Sequence, residues 1–246
     1  MPAFPSLERR IPLENHPHIH KFSISDHQFY LKAQHYGTGE IGSIGIQAVK
    51  EGAAVNGLLD GLSKTTSLGL QYGVPLENLV QEWKGSRFEP SGFTNNRHIP
   101  HVKSLADYAA TYLEHYQVVF PYQQQPGLVR QTLPESAAAM THKFSIDGRE
   151  GFLSFWFYPR ESAEPTTVGR INFCWAKEGS PIYGIMDTLG TTASTALQYG
   201  VPLSALLEEW KGLSFPPSGM TQESQQASSV LDYAANFLIK RLELEK

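Results

Sequence analysis

Leu70-Gln71-Tyr72-Gly73-Val74-Pro75-Leu76 recurs letter for letter as Leu197-Gln198-Tyr199-Gly200-Val201-Pro202-Leu203. Outward from it, Lys50-Glu51-Gly52 matches Lys177-Glu178-Gly179, Glu82-Trp83-Lys84-Gly85 matches Glu209-Trp210-Lys211-Gly212, and Pro90-Ser91-Gly92 matches Pro217-Ser218-Gly219. The offset stays near ~127 residues, and roughly 25 of about 45 positions are identical, which marks an internal repeat. We read the pair as a tandem duplication, so the fold problem reduces to one half of the chain.

Each half opens on a proline-marked lead-in, Arg10-Ile11-Pro12-Leu13-Glu14 and Thr132-Leu133-Pro134-Glu135. His20-Lys21-Phe22-Ser23-Ile24 and His142-Lys143-Phe144-Ser145-Ile146 follow, and the polar stretch Tyr158 to Pro165 absorbs the residues gained by the second copy. Alternation at Ile44, Ile46 and Ala48, repeated at Ile171, Phe173 and Trp175, predicts strands, as does the aromatic run Phe152 to Tyr158. Val55, Leu58, Leu59 and Leu62 make a helical stripe, matched by Ile182, Ile185, Met186 and Leu189. Gly73 and Gly200 fall where that helix stops, and Pro75 and Pro202 suit the first turn of the next. Leu76, Leu79, Val80 and Trp83 continue, matched by Leu203, Leu206, Leu207 and Trp210. A last helix carries Leu105, Ala109, Tyr112 and Leu113, matched by Val230, Ala234, Phe237 and Leu238. The expected fold is α+β: two tandem copies of a three-stranded antiparallel sheet followed by about three helices. The expected boundaries are a first repeat at 1–116, a linker at 117–130 and a second repeat at 131–246.

The chain has 246 residues, 41% of them hydrophobic and 18% charged, with a formal net charge of -4. That balance is globular and gives no electrostatic basis for nucleic-acid or membrane binding. Met1 to Arg10 has no apolar run and no stretch approaches a membrane span, so the expectation is a cytoplasmic protein without a signal peptide. The single cysteine, Cys174, excludes an internal disulfide, a thiol pair and a cysteine-built zinc site.

His20-Lys21-Phe22, Lys50-Glu51-Gly52, Ser67 to Leu76, Arg87 to Thr94 and Ser104-Leu105-Ala106-Asp107-Tyr108 occur in that order. Together they resemble the TSCPD-type domain near the C-terminus of the adenosylcobalamin-dependent (class II) ribonucleotide reductases. The likeness runs from about Arg10 to Tyr116 and, more loosely, from about Leu133 to Leu242. It implies kinship with a noncatalytic portion of the reductase. The catalytic barrel that the family carries has no counterpart here, since ~110 residues per copy cannot supply it. Its chemistry needs one cysteine for a thiyl radical and a second pair for electrons, whereas this chain has one. The resemblance also implies that adenosylcobalamin belongs to the full-length enzyme, with no cofactor expected on this chain.

Candidate chemistry is sparse. His16, His18 and His20 alternate along an extended segment and would project to one side, a pattern that can hold a metal. The second copy keeps only His142, so no metal is expected. Cys174 matches Gln47 and reads as a plain strand residue. Ser67, Ser194, Ser91 and Ser218 recur, but none sits in a GxSxG turn. Asp107 and Asp232 recur before a tyrosine, with Asp60 and Asp187 on the first helix as the recurring carboxylates weighed as partners for acid–base work. The aromatics of the second copy read as buried packing rather than a base-stacking platform. The loop Arg87-Phe88-Glu89-Pro90-Ser91-Gly92-Phe93-Thr94 is the best recognition candidate, with Arg87, Phe88, Glu89, Ser91, Phe93 and Thr94 as partner-binding residues. Its counterpart, Ser214-Phe215-Pro216-Pro217-Ser218-Gly219-Met220-Thr221, has lost the arginine and the glutamate.

These readings point to a noncatalytic accessory or binding protein in deoxyribonucleotide synthesis. Its expected partner is a reductase catalytic subunit, and its two repeats are expected to form an internal pseudo-dimer. The alternatives are an obligatory small subunit of a split B12-dependent reductase, and a domain repurposed for another ligand or protein.

Overall fold

In the computed structural model, residues 16–119, 128–159 and 167–242 are described. The first lead-in, much of the expected linker and the tip of the Tyr158–Pro165 loop lie outside them. Strands β1 (His18–Ile24), β2 (His27–His35) and β3 (Ile41–Val49) form an antiparallel sheet in the order β1-β2-β3. Helix α1 (Ala53–Gln71) follows, then a short α2 (Leu76–Val80) running into a 3₁₀ turn at Gln81–Trp83. A small ladder, β4 (Gly92–Phe93) with β5 (His101–Val102), precedes α3 (Leu105–Val119). The second half repeats the order: β6 (Ala139–Ile146), β7 (Arg149–Phe157), β8 (Val168–Cys174), α4 (Pro181–Gln198), α5 (Leu203–Trp210), β9 (Gly219–Met220), β10 (Gln226–Ala227) and α6 (Val230–Arg241). The α+β expectation holds. The β4–β5 and β9–β10 ladders are additions, each two residues long and too short for alternation to announce them.

Alternation decides which face of each sheet is covered. Phe22 and Ile24, Phe29 and Leu31, and Ile44, Ile46 and Ala48 are all buried, as are Phe144, Ile146, Leu153, Phe155, Ile171 and Phe173. Helix α1 lies along the free edge of β3. Asn56 Oδ1, Ser63 Oγ and Ser67 Oγ accept the N–H groups of Ala48, Ile46 and Ile44 at 3.0, 2.9 and 3.1 Å. An edge strand is thereby satisfied by side chains rather than by another strand. In the second half Ser194 Oγ takes the N–H of Ile171 at 3.0 Å. Ser67 and Ser194 are therefore edge caps. Gly190, at the place of Ser63, brings α4 so close to β8 that a Cβ would stand 3.1 Å from the Ile171 carbonyl. Gly73 and Gly200 end α1 and α4 at φ of 85° and 90°, a region glycine enters without penalty. Pro75 and Pro202 stand just ahead of the next helix, one place earlier than expected.

The halves then close on each other. The Trp83 indole N–H donates to Thr192 Oγ1 at 2.7 Å, and that of Trp210 donates to Thr65 Oγ1 at 2.9 Å. Both threonine hydroxyls donate in turn to the carbonyl four residues back in their helix. Both indoles are fully buried, as their place in the stripe required. Phe88 packs on Gly184 and Phe215 on Gly57, where a Cβ would meet the ring at 2.0 and 2.1 Å. Each half thus lays its α2 or α5 segment and the following phenylalanine against the first helix of the other.

Candidate functional site

The loop after α2 begins at Gly85, whose φ of 77° suits glycine. Its two ends are pinned by one carboxylate: Asp107 accepts the Gly85 N–H at 2.7 Å and the Lys103 N–H at 3.0 Å. Asp232 does the same for Gly212 and Ser228 at 2.9 and 3.0 Å. Both recurring aspartates are thus spent on loop backbone, and Asp60 pairs with Lys64 on the surface. Asp187 is the recurring carboxylate with a displaced pKa, raised by burial and held back by Arg170.

Within the loop, the six candidate residues divide. Phe88 is buried between the halves and cannot meet a partner from there. Thr94 is half-buried, donates to the Ile99 carbonyl and accepts the Asn96 N–H at 3.0 Å, so its hydroxyl serves the turn. Glu89 accepts from the Ser91 N–H and Oγ at 3.0 and 3.1 Å. Arg87 is exposed. Phe93 is 77% exposed, its ring edge-on to His101 at 5.4 Å. Arg87, Phe88, Glu89, Ser91, His101, Val102, Lys103 and Gly179 line a cleft of about 400 Å³. Gly179 comes from the other half, and its carbonyl accepts the Glu89 N–H at 3.1 Å. The sequence reading missed His101 and Lys103. A signal existed: they match Gln226 and Ser228, as Arg87 matches Ser214, so every base of the cleft is neutral at the matched place.

The histidine series has a different use. Phe22, His20 and His18 on β1 stack in register on Tyr108, Tyr112 and Tyr116 of α3, at ring separations of 3.9, 3.9 and 4.7 Å. Alternate strand residues and every fourth helical residue advance by nearly the same distance, which keeps the rungs aligned. The His20 and His18 Nε2 atoms hydrogen-bond the hydroxyls of Tyr108 and Tyr112 at 2.8 and 3.1 Å. Burial, then the neighbouring His18, lowers the His20 pKa. His142 repeats the bond with Tyr233 at 2.7 Å and stacks on Phe237, and burial raises the Tyr233 pKa to about 12. Among the described residues no group of three or more His, Cys, Asp or Glu is placed to hold a metal. Cys174 is exposed. Among the aromatics of the second half, Phe155, Phe157, Phe173 and Trp175 are buried, Phe152 is partly exposed, and Trp156 carries Arg170 over its ring at 4.9 Å. No helix among the described residues is long and apolar enough to cross a membrane.

The strings Ser67 to Leu76, Arg87 to Thr94 and Ser104 to Tyr108 thus build one continuous unit: the end of α1, its glycine stop, α2, the clefted loop and the start of α3. Residues 7–117 match the TSCPD domain. Relatives of this TSCPD region include the vitamin B12-dependent ribonucleotide reductase of Rhodopirellula baltica, 43% identical over 111 residues, which covers 44% of this chain and 10% of that protein. That of Agrobacterium fabrum is 38% identical over 105 residues, 42% of this chain and 8% of that protein. That of Streptomyces coelicolor is 32% identical over 119 residues, 48% of this chain and 11% of that protein. The chain therefore spans about a tenth of the length of these relatives. No solved structure matches. Vitamin B12 belongs to those proteins by name.

Proposed function

We propose that this chain is a noncatalytic accessory protein of deoxyribonucleotide synthesis, docking on a B12-dependent ribonucleotide reductase. The observation that carries the reading is the match of residues 7–117 to the TSCPD domain together with relatives that bear the reductase name over about a tenth of their length. In the same reading the two halves descend from one duplicated unit and act as an internal pseudo-dimer, which the reciprocal Trp83–Thr192 and Trp210–Thr65 bonds support. Ser67 and Ser194 are spent on edge caps and Asp107 and Asp232 on loop pins, which favours binding over catalysis. One cysteine cannot serve as radical carrier and two-electron reductant together. Docking falls to the first half, where Arg87 and the exposed Phe93 stand on one loop; exposed aromatics and arginines are the side chains that anchor interfaces.

The test is association of the purified chain with the B12-dependent reductase of its own organism, read by analytical ultracentrifugation. A complex should form, and Arg87→Ala combined with Phe93→Ala should weaken it by more than ~1 kcal/mol, with less change from Phe215→Ala plus Met220→Ala corrected for lost stability. Absence of a complex would overturn the docking reading. Deoxyribonucleotide made by the chain alone from adenosylcobalamin, ribonucleotide and a dithiol, and lost in Cys174→Ser, would overturn the noncatalytic one.

A further inference from the structure

We infer that the cleft of the first half is a binding site for a small phosphate-bearing organic molecule. Three basic side chains, Arg87, His101 and Lys103, line one concavity of about 400 Å³, with the nearly buried Phe88 and Val102 showing only an edge at its floor. That size lies within the range of small-ligand sites, which pair apolar lining with a few convergent polar groups. Among the described residues neither Arg87 nor Lys103 is engaged in an ion pair. Unpaired cations beside a concave apolar surface are free to take a planar or tetrahedral oxyanion, and a guanidinium can do so with two parallel bonds.

The second half is an internal control. It keeps the residues that build the loop: Phe215 for Phe88, Gly219 for Gly92, Thr221 for Thr94 and Asp232 for Asp107. It keeps none of the bases, which become Ser214, Gln226 and Ser228. The bases are therefore not needed to form the loop. They share a cleft and are replaced together, which is the behaviour of groups that serve one ligand. The one carboxylate of the cleft, Glu89, is turned onto Ser91, with both oxygens accepting from that residue. The compact grouping of the cations favours a small molecule over an extended acidic peptide, which would need bases spaced along a groove.

The inference stands apart from docking on a reductase, because titration with a small anion reads the cleft whether or not any protein binds. Full-length protein is titrated calorimetrically at low ionic strength with inorganic phosphate and with phenyl phosphate. Both should bind, phenyl phosphate more tightly. Arg87→Ser with Lys103→Ser, which installs the second half's residues, should weaken both by at least about tenfold, given the strength of hydrogen bonds to charged groups. Its thermal melt should match the wild type. Glu89→Gln should tighten both. No binding of either probe, or undiminished binding by the double variant, overturns the site. Equal affinity for the two probes overturns the organic part of the ligand.

Discussion

Phe88 and Phe215 sit at matched places, and each is buried on a glycine of the opposite half, Gly184 and Gly57. Asp107 and Asp232 pin the bases of their loops through the same two backbone N–H groups. Phe93 and Met220, at the tips, are both exposed. Against that shared frame the outward chemistry differs: the first loop carries Arg87, Glu89, His101 and Lys103, the second Ser214, Pro216, Gln226 and Ser228. The difference separates two demands on one loop. Residues that close the halves together are the same on both sides, while residues that face solvent differ.

The largest effects should come from the shared frame. Trp83→Ala and Trp210→Ala each empty a fully buried indole site and should each cost about 3–5 kcal/mol in urea melts. Each also removes the donor to a threonine hydroxyl of the other half. A gap between them above ~2 kcal/mol would break the equivalence of the halves. Gly184→Ala and Gly57→Ala drive a methyl group into Phe88 and Phe215, and overpacking of that kind should cost about 1–3 kcal/mol each. A neutral result at either would mean that its phenylalanine is not seated there.

Acid should separate the halves further. His20 and His142 both have pKa values lowered by burial. A lowered histidine binds fewer protons folded than unfolded, so stability is full above the ordinary value of 6.5 and falls as pH drops below it. The neighbouring His18 lowers His20 further, whereas Glu223 pulls His142 back up. Urea melts from pH 8 to pH 5 should therefore show His20→Gln flattening the pH dependence more than His142→Gln. An equal effect would assign the shift to burial alone. The smallest effect belongs to the tips: Phe93→Ala and Met220→Ala should each leave stability within about 0.5 kcal/mol, as surface changes do.

Sheets, helices and the buried faces of Trp83 and Trp210 were legible because each rests on periodicity within one half. What covers those faces was not, because a stripe of Leu79, Val80 and Trp83 states that a surface is needed without saying that Thr192 lies on it. Phe88 reads as an exposed loop residue, since Arg87, Glu89 and Pro90 surround it. Its burial is decided by Gly184, far along the chain. His101 and Lys103 fall outside the repeated strings, so nothing in a search for sameness points to them. Only the fold returns them to Arg87. His18 and His20 of the alternation do project to one side, but that side faces a column of tyrosines, and the column follows only once α3 is laid on β1.

The reciprocal tryptophan bonds also bear on how copies of this molecule treat one another. A lock made between halves is indifferent to whether both halves belong to the same polypeptide. The surface that the first half offers to its own second half is equally offered to that of a neighbour, and an exchange of arms loses none of the contacts. Only tethering favours the closed monomer, by keeping the right partner always at hand. Crowding the chains together, or cutting between the halves, should leave the same embrace intact with its participants redistributed.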